Sequence, residues 1–259
     1  MGKEIRMIEK IHKYKAIVSS DWNQCLAPCG PFDFIAFNYP ELESDLESIF
    51  KQYTDNIISL GESNRHIQNL LPGPITEKQM DTYLDKSFIT YKGVPDLIEW
   101  CLNHDILFMI NTTGMIGYFQ RIFFKSLLPT VPVLSAHPMM RFSERETDPN
   151  YLYDLLEIQD KRKNTETVTR MFNISPEKII LMGDSGGDGP HFKWGAKIGA
   201  FLIGSMTKPS LESYCQTKGI NIDLRFGLSY TSDAKKDPDK EMQIDFMDLS
   251  SILQEWLER

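Results

Sequence analysis

The segment Lys15-Ala-Ile-Val-Ser-Ser20, followed directly by Asp21-Trp-Asn23, decides the fold prediction. Its apolar, partly β-branched run stops abruptly at an acidic residue, which is typical of a buried strand that ends at a polar site. Two later runs share this pattern. Ile106–Ile110 leads into Thr112, and Lys178–Met182 leads into Asp184.

The order of patterns predicts an α/β fold with a Rossmann-like, three-layer core. Runs at 131–135 and 200–203 add two strands, and helical spacing of apolar residues lies between the strands at 94–102, 116–127 and 164–172. Strands that alternate with helices form a parallel sheet covered on both faces. Such sheets bind ligands at the carboxyl ends of their strands. The predicted site therefore contains Asp21, Thr112 and Asp184.

Residues 24–92 interrupt the alternation, because they contain no strong strand pattern. Helical spacing covers 41–60 and 76–88, with Leu71-Pro-Gly-Pro74 between them. The predicted domains are a core of residues 1–23 and 93–259 and a helical insert of residues 24–92. Within the core, 231–240 is the most linker-like segment and 245–257 is predicted to form a terminal helix.

Four short segments together resemble the motifs of the haloacid dehalogenase-like (HAD) hydrolases. Asp21-Trp-Asn-Gln-Cys-Leu26 resembles the first motif, which has the variant Asp-Trp-Asn-Gly-Thr-Leu. Thr112, in Asn-Thr-Thr-Gly-Met, resembles the second motif, and Asp184 and Asp188, four residues apart, resemble the fourth. Lys163, in preference to Lys161, fits the spacing of the third. All four segments occur in the family's order, and the insert's position is similar to the cap of the phosphoserine phosphatase branch.

This resemblance implies a Mg²⁺-dependent phosphatase that acts on a small phosphomonoester through an aspartyl phosphate. A carboxylate can attack phosphorus and divide one hard step into two. The resemblance implies that Asp21 is the nucleophile and that Lys163 is the cation that balances the charge of the phosphate. It also implies one set of residues that binds the metal and one that binds the phosphate. The metal set is Asp21, Asn23 through its carbonyl, Asp184 and Asp188, and the phosphate set is Thr112, Thr113, Gly114 and Lys163.

Asn23 departs from the family pattern, in which a second Asp donates a proton to the leaving alcohol. Losing such a group costs about a hundred- to ten-thousand-fold in rate. The substrate could carry a good leaving group, another residue such as His66 could supply the proton, or the protein could bind phosphate compounds without turnover. Dehalogenation is disfavoured by the acidic pair Asp184 and Asp188. Carbon–phosphorus cleavage would need a cap lysine, for which Lys51, Lys78 and Lys86 are available.

Composition sets the remaining expectations. The 259-residue chain has a formal net charge of −8, which argues against a broad nucleic-acid surface. Its start, Met1 to Lys15, has no long apolar run of a secretory signal, and no segment approaches a membrane-spanning length. Its four cysteines form no disulfide framework or zinc pattern. These features predict a cytoplasmic protein whose partner is a small phosphorylated metabolite, with no nucleic acid and no membrane. They do not indicate its oligomeric state.

Overall fold

Seven parallel strands form one sheet in the order β4-β3-β2-β1-β5-β6-β7 in the computed structural model, which describes residues 12–54, 57–231 and 237–258. The strands are β1 Ala16–Ser20, β2 Ile106–Met115, β3 Val133–His137, β4 Tyr151–Asp154, β5 Ile179–Gly183, β6 Phe201–Ser205 and β7 Leu224–Phe226. β1 is central and fully buried, and it pairs with β2 on one side and β5 on the other. The ends of β1, β2 and β5 therefore lie side by side.

Helices cover both faces of this sheet. The described helices, including those of the insert, are α1 Asp33–Asn38, α2 Glu43–Thr54, α3 Leu60–Leu70, α4 Glu77–Ser87, α5 Val94–Asn103, α6 Ile116–Phe124, α7 Asp160–Met171, α8 Gly189–Ile198, α9 Pro209–Lys218, α10 Pro238–Glu241 and α11 Asp248–Leu257. Alternate strand residues enter two separate cores. Val18 lies in the core beneath α5, α6 and α11, whereas Ile17 lies in the core beneath α7, α8 and α9. The predicted α/β, Rossmann-like fold class is confirmed.

All five predicted strands are present, and β4 and β7 were missed. β4 has four residues and β7 has three, and both lie at the edges of the sheet. Every residue of β4 is at least partly exposed, so the segment lacks the continuous apolar run that marks a buried parallel strand. Part of the predicted linker, 232–236, and most of Met1 to Lys15 lie outside the described residues.

The regular structure described between residues 24 and 92 is helical. α3 and α4 each begin with a capping box, in which Ser59 pairs with Glu62 and Thr76 pairs with Gln79. The sequence predicted one helix over 41–60. The structure instead has α2 ending at Thr54 and α3 beginning at Leu60, and residues 55 and 56 lie outside the described part. The insert's two stems meet, since the backbone N–H of Tyr91 donates to the carbonyl of Leu26 at 3.1 Å.

An arginine network joins the insert to the core, and we define it as Arg121, Arg145, Glu77 and Asp81. Arg121 of α6 is buried and donates through two nitrogens to the Asp81 carboxylate of α4, each at 2.8 Å. Its third nitrogen reaches Glu77 at 3.1 Å, and Arg145 also binds Glu77, at 2.8 Å. Bidentate pairing of this kind fixes orientation as well as distance. The network thus holds α4 against α6.

Across the three described ranges, none of the helices combines the length and apolarity that a membrane crossing requires.

Candidate active site

Three carboxylates converge where β1 and β5 end. The backbone N–H of Asp21 donates to the carbonyl of Met182 at 3.0 Å, so the parallel pairing continues one residue past β1. Asp184 follows β5, and Asp188 lies one turn later. Oxygen atoms of Asp21, Asp184 and Asp188 all lie within 4.8 Å of one another. Together with Lys161 and Lys208 we call these residues the acidic cluster.

Lys161 lies between two of these carboxylates. Its Nζ is 2.6 Å from Oδ1 of Asp188 and 3.1 Å from Oδ2 of Asp21, and its side chain is only 2% exposed. Burial by itself would lower the pKa of Lys161, but the carboxylates of Asp188 and Asp21 outweigh it and raise the pKa. The lysine therefore remains a buried cation beside Asp21.

The structure corrects the choice of Lys163, which does not reach the acidic cluster. Its side chain is 68% exposed and pairs with Asp160 at 2.7 Å. α7 begins at Asp160, four residues earlier than predicted, so Lys161 lies in its first turn. Lys161 then shares the buried helix face of Thr165 and Val168, at spacings of four and seven. Once the start of α7 is known, this spacing selects Lys161 over Lys163.

β2 anchors the start of α7 through Asn111. The side-chain amide nitrogen of Asn111 donates to the backbone carbonyl of Lys161 at 2.8 Å and lies 3.0 Å from the hydroxyl of Thr165. The same nitrogen lies 3.1 Å from the hydroxyl of Ser19 on β1. Asn111 thus ties both strands to the turn that carries Lys161.

Asp188 has both carboxylate oxygens engaged by the protein. Oδ1 binds Lys161, and Oδ2 accepts the backbone N–H groups of Asp184 and Ser185 at 3.0 and 3.3 Å. A Cβ at Gly183 would lie 2.5 Å from the Asp188 side chain, which explains why glycine precedes Asp184. Asp188 therefore orients Lys161 and the Asp184 backbone.

Asp184 is paired with Lys208, a residue that the sequence analysis missed. Nζ of Lys208 lies 2.5 Å from Oδ2 of Asp184, which is itself 1% exposed. Burial raises the pKa of Asp184 to about 6, Lys208 opposes this rise, and Asp188 and Asp21 add to it. Lys208 follows β6, so its position after a predicted strand was the one available signal.

Two protein donors fix the position of the Asp21 carboxylate. Its Oδ1 accepts the backbone N–H of Trp22 at 2.7 Å, and its Oδ2 faces Lys161. Burial raises the pKa of Asp21; Lys161 opposes this effect and Asp188 reinforces it. Burial and the carboxylate of Asp188 therefore disfavour ionisation of Asp21, and added positive charge would favour it.

Thr112 lies on β2 and points towards Asn23. Its hydroxyl donates to Oδ1 of Asn23 at 3.4 Å and accepts the backbone N–H of Gly114 at 3.2 Å. Thr113 is half-buried and Gly114 is buried. The structure thus brings Thr112 and Gly114 to Asn23, two residues after Asp21. Both of these hydrogen bonds of the Thr112 hydroxyl are therefore to residues other than Asp21.

Asn23 belongs to a tight loop whose sequence differs from the family motif. Its amide nitrogen donates to the carbonyl of Cys29 at 3.3 Å. Gln24 has a φ of 60°, in the left-handed region that glycine adopts most readily. This is where the similar motif has glycine, so Gln24 preserves the turn at some conformational cost. Cys25 and the other three cysteines are buried free thiols.

Helices of the insert close over this region. Phe34 and Tyr83 from the insert line a cavity of about 10 Å³ with Asn23 and Gly114, which is roughly the room that one water needs. Burial raises the pKa of Tyr53 on α2, and the charges of Lys161, Asp21 and Asp188 also act on this phenol. The candidate proton donor His66 is exposed on α3, and the cap lysines considered above are exposed as well.

The acidic cluster fits a magnesium ion. Mg²⁺ prefers hard oxygen ligands from one or two carboxylates plus waters. The three carboxylates outnumber the two lysines, so the cluster has a formal charge of −1. Asp184 is the least engaged of the three in the described structure, since its one ion pair is to Lys208, whereas protein donors contact both oxygens of Asp188 and both oxygens of Asp21.

Solved structures of known proteins have the same architecture. A phosphoserine phosphatase captured as a phospho-aspartyl intermediate analogue matches with a TM-score of 0.62 and 16% identity, over 93% of this chain and 99% of that one. A substrate-bound phosphoserine phosphatase matches with a TM-score of 0.59 and 18% identity, over 82% of this chain and 93% of that one.

The chain has the haloacid dehalogenase-like fold. A HAD family hydrolase from Salmonella enterica serovar Typhi also shares it, with a TM-score of 0.60 and 15% identity over 83% of this chain and 68% of that one. No family model matches the sequence, and no curated protein matches it. At these identities the HAD-like likeness is one of fold, and any activity must be argued from the acidic cluster.

Proposed function

We propose that the protein is a Mg²⁺-dependent phosphatase that hydrolyses a small phosphomonoester through an aspartyl phosphate on Asp21. One observation carries the proposal. A buried carboxylate at the end of the central strand faces a buried lysine and lies within 4.8 Å of two further carboxylates. The HAD-like fold, which solved phosphoserine phosphatases share, supports the same reaction class.

The chain's own residues account for most of the steps. One Asp21 oxygen attacks phosphorus while the bond to the leaving alcohol breaks, and water then hydrolyses the acyl phosphate to regenerate Asp21. Lys161, with Thr112 and the backbone at Gly114, would bind the phosphate oxygens. Mg²⁺, held by Asp21, Asp184 and the carbonyl of Asn23, would neutralise charge on the phosphoryl group.

Asn23 determines which leaving groups the site accepts. An amide cannot donate a proton to an alkoxide, and the amide nitrogen of Asn23 is bound to Cys29. A phenolate leaves without protonation far more readily than an alkoxide does. We therefore expect aryl and other activated esters to react much faster than simple alkyl phosphates.

Residues 24–92 would act as a cap in this proposal. Residues of the insert line the small cavity beside Asn23, and caps of this kind open and close to admit substrate. The division into a core of 1–23 and 93–259 and a cap of 24–92 remains a prediction. The same holds for the cytoplasmic location, which the four free thiols suit.

The test measures phosphate release from an aryl phosphate and a panel of small esters, with Mg²⁺ and with EDTA. The wild type should release phosphate only with Mg²⁺, and Asp21→Asn should abolish release. Asp85→Asn is the matched control, because Asp85 is 63% exposed and pairs only at the surface with Lys125. Full activity of Asp21→Asn would reject the nucleophile.

A binding protein with a degenerate site is the second candidate, and Asn23 is the observation that favours it. Tight binding of phosphate compounds by a folded, Mg²⁺-loaded protein that releases no phosphate from any ester would establish this candidate instead.

A further inference from the structure

Lys208 binds Asp184 through both its backbone and its side chain. Its backbone N–H donates to the carbonyl of Asp184 at 2.8 Å, and its Nζ lies 2.5 Å from Oδ2 of the same residue. The Lys208 side chain is 26% exposed, unlike that of Lys161, which is 2% exposed. Lys208 can therefore move its ammonium group towards solvent while its backbone stays in place.

Asp184 is one of the carboxylates that a divalent cation would use. Both oxygens of Asp188 are bound by Lys161 and by backbone N–H groups, whereas Lys208 is the charged partner of Asp184 in the described structure. Mg²⁺ binds carboxylate oxygen at about 2.0–2.1 Å. An ammonium group held against the same carboxylate would repel that ion across a few ångströms of buried, weakly screened space.

We propose that Lys208 is a built-in competitor of Mg²⁺ at Asp184, and that the displaced ammonium group then binds the substrate phosphate. This inference rests on the proposed function, since it needs the same metal site. Mg²⁺ would change the formal charge of the acidic cluster from −1 to +1. A phosphate dianion bound beside the acidic cluster would then offer the displaced ammonium group a new anionic partner. Mg²⁺ and phosphate should accordingly bind in that order.

The proposal predicts opposite effects on two ligands. Lys208→Met should bind Mn²⁺, a probe with the same oxygen-ligand preference, at least about tenfold more tightly, because it removes a positive charge from Asp184. At saturating metal, its affinity for inorganic phosphate should fall by about tenfold, because one phosphate-binding cation is lost. Lys208→Arg keeps the charge and should retain both affinities more closely.

Free Mn²⁺ can be measured by electron paramagnetic resonance and phosphate binding by calorimetry, both on the full chain. Lys163→Met is the control, since it removes a lysine from α7 that lies outside the acidic cluster. A purely structural lysine would not strengthen metal binding on removal. Unchanged or weaker Mn²⁺ binding by Lys208→Met would overturn the competition, and unchanged phosphate binding would overturn the second role.

The two proposals fail in different ways. If Lys208→Met leaves Mn²⁺ affinity unchanged while Asp21→Asn still abolishes Mg²⁺-dependent phosphate release, only the Lys208 inference is rejected. If the wild type binds no Mn²⁺, both the metal site and the Lys208 inference are rejected.

Discussion

The arginine network and the acidic cluster are both groups of buried and half-buried charges, but they differ in how far positive charge matches negative charge. The arginine network pairs two cations with two anions, and its two carboxylate side chains remain 29% and 34% exposed. The acidic cluster pairs three carboxylates with two lysines, and the side chains of Asp184 and Asp188 are each 1% exposed. The network is complete as it stands, whereas the acidic cluster has an unmatched negative charge in a poorly solvated place.

This difference favours a structural role for the arginine network and supports the functional role proposed for the acidic cluster. Burial of charge is costly unless every group is paired, so an unbalanced buried group is hard to explain by stability alone. Perturbed carboxylates gather at functional sites because a ligand supplies the missing charge. We therefore expect added cation to stabilise the acidic cluster and to leave the arginine network unaffected.

Removing Lys161 should have the largest effect. Lys161→Met leaves Asp21 and Asp188 without their shared cation and should lower the free energy of unfolding by about 3–5 kcal/mol. Phosphate release should fall at least about a thousandfold. Mg²⁺ should restore part of the lost stability in a urea unfolding titration. Lys163→Met, the matched control, should stay within about 0.5 kcal/mol of wild type. Equal effects of the two substitutions would contradict the assignment of Lys161.

The free energy of unfolding of the metal-free protein should depend on pH through Asp184, with a smaller effect than that of Lys161→Met. Its folded pKa of about 6 lies above the unfolded value of 3.8, so the folded state binds more protons between these values. Stability from Asp184 is therefore fully present below about pH 4 and is lost as pH rises through about 6, by about 2–3 kcal/mol. Urea unfolding in EDTA from pH 4 to 8 measures this, and the decline should be smaller in Asp184→Asn, in which Asp21, whose pKa burial also raises, still contributes. An equal decline in both proteins would assign it to groups other than Asp184.

The smallest effect should come from the arginine network. Arg121→Met should cost about 1–2 kcal/mol, because Asp81 and Glu77 are exposed enough to be rehydrated. Mg²⁺ should change the stability of this variant no more than that of wild type. Arg141→Met, which removes an exposed pair with Glu144, provides the baseline. If Mg²⁺ restored the stability of Arg121→Met specifically, the distinction between the arginine network and the acidic cluster would be wrong.

The central sheet was predictable because its strands are buried on both faces. A run such as Ile179–Gly183 must be continuously apolar to lie between two helical layers, and it must stop where solvent begins. The same rule located Asp21 and Asp184 at neighbouring strand ends. It could not locate β4 and β7, since an edge strand that is half-exposed has no such run.

The lysines of the acidic cluster were harder to predict from the sequence, because their positions depend on the phase of α7 and on a loop distant in sequence. The choice between Lys161 and Lys163 depended on where α7 begins, and helix ends are the least certain part of a sequence-based assignment. Lys208 reaches Asp184 from the loop after β6, and Arg121 reaches Asp81 across 40 positions of sequence. Charge pairing over such separations leaves no periodic pattern in the chain.

The hydrogen bond between Tyr91 and Leu26 has a consequence for how such a protein can diversify. The chain leaves the core near Leu26 and returns to it near Tyr91, and these two points are hydrogen-bonded. The segment between them therefore begins and ends at one place beside the sheet. The entropy of closing a loop grows only slowly with its length. Segments of other lengths and shapes can therefore be grafted between these two points without moving Asp21, which allows substrate choice to evolve while the chemistry beneath it is kept.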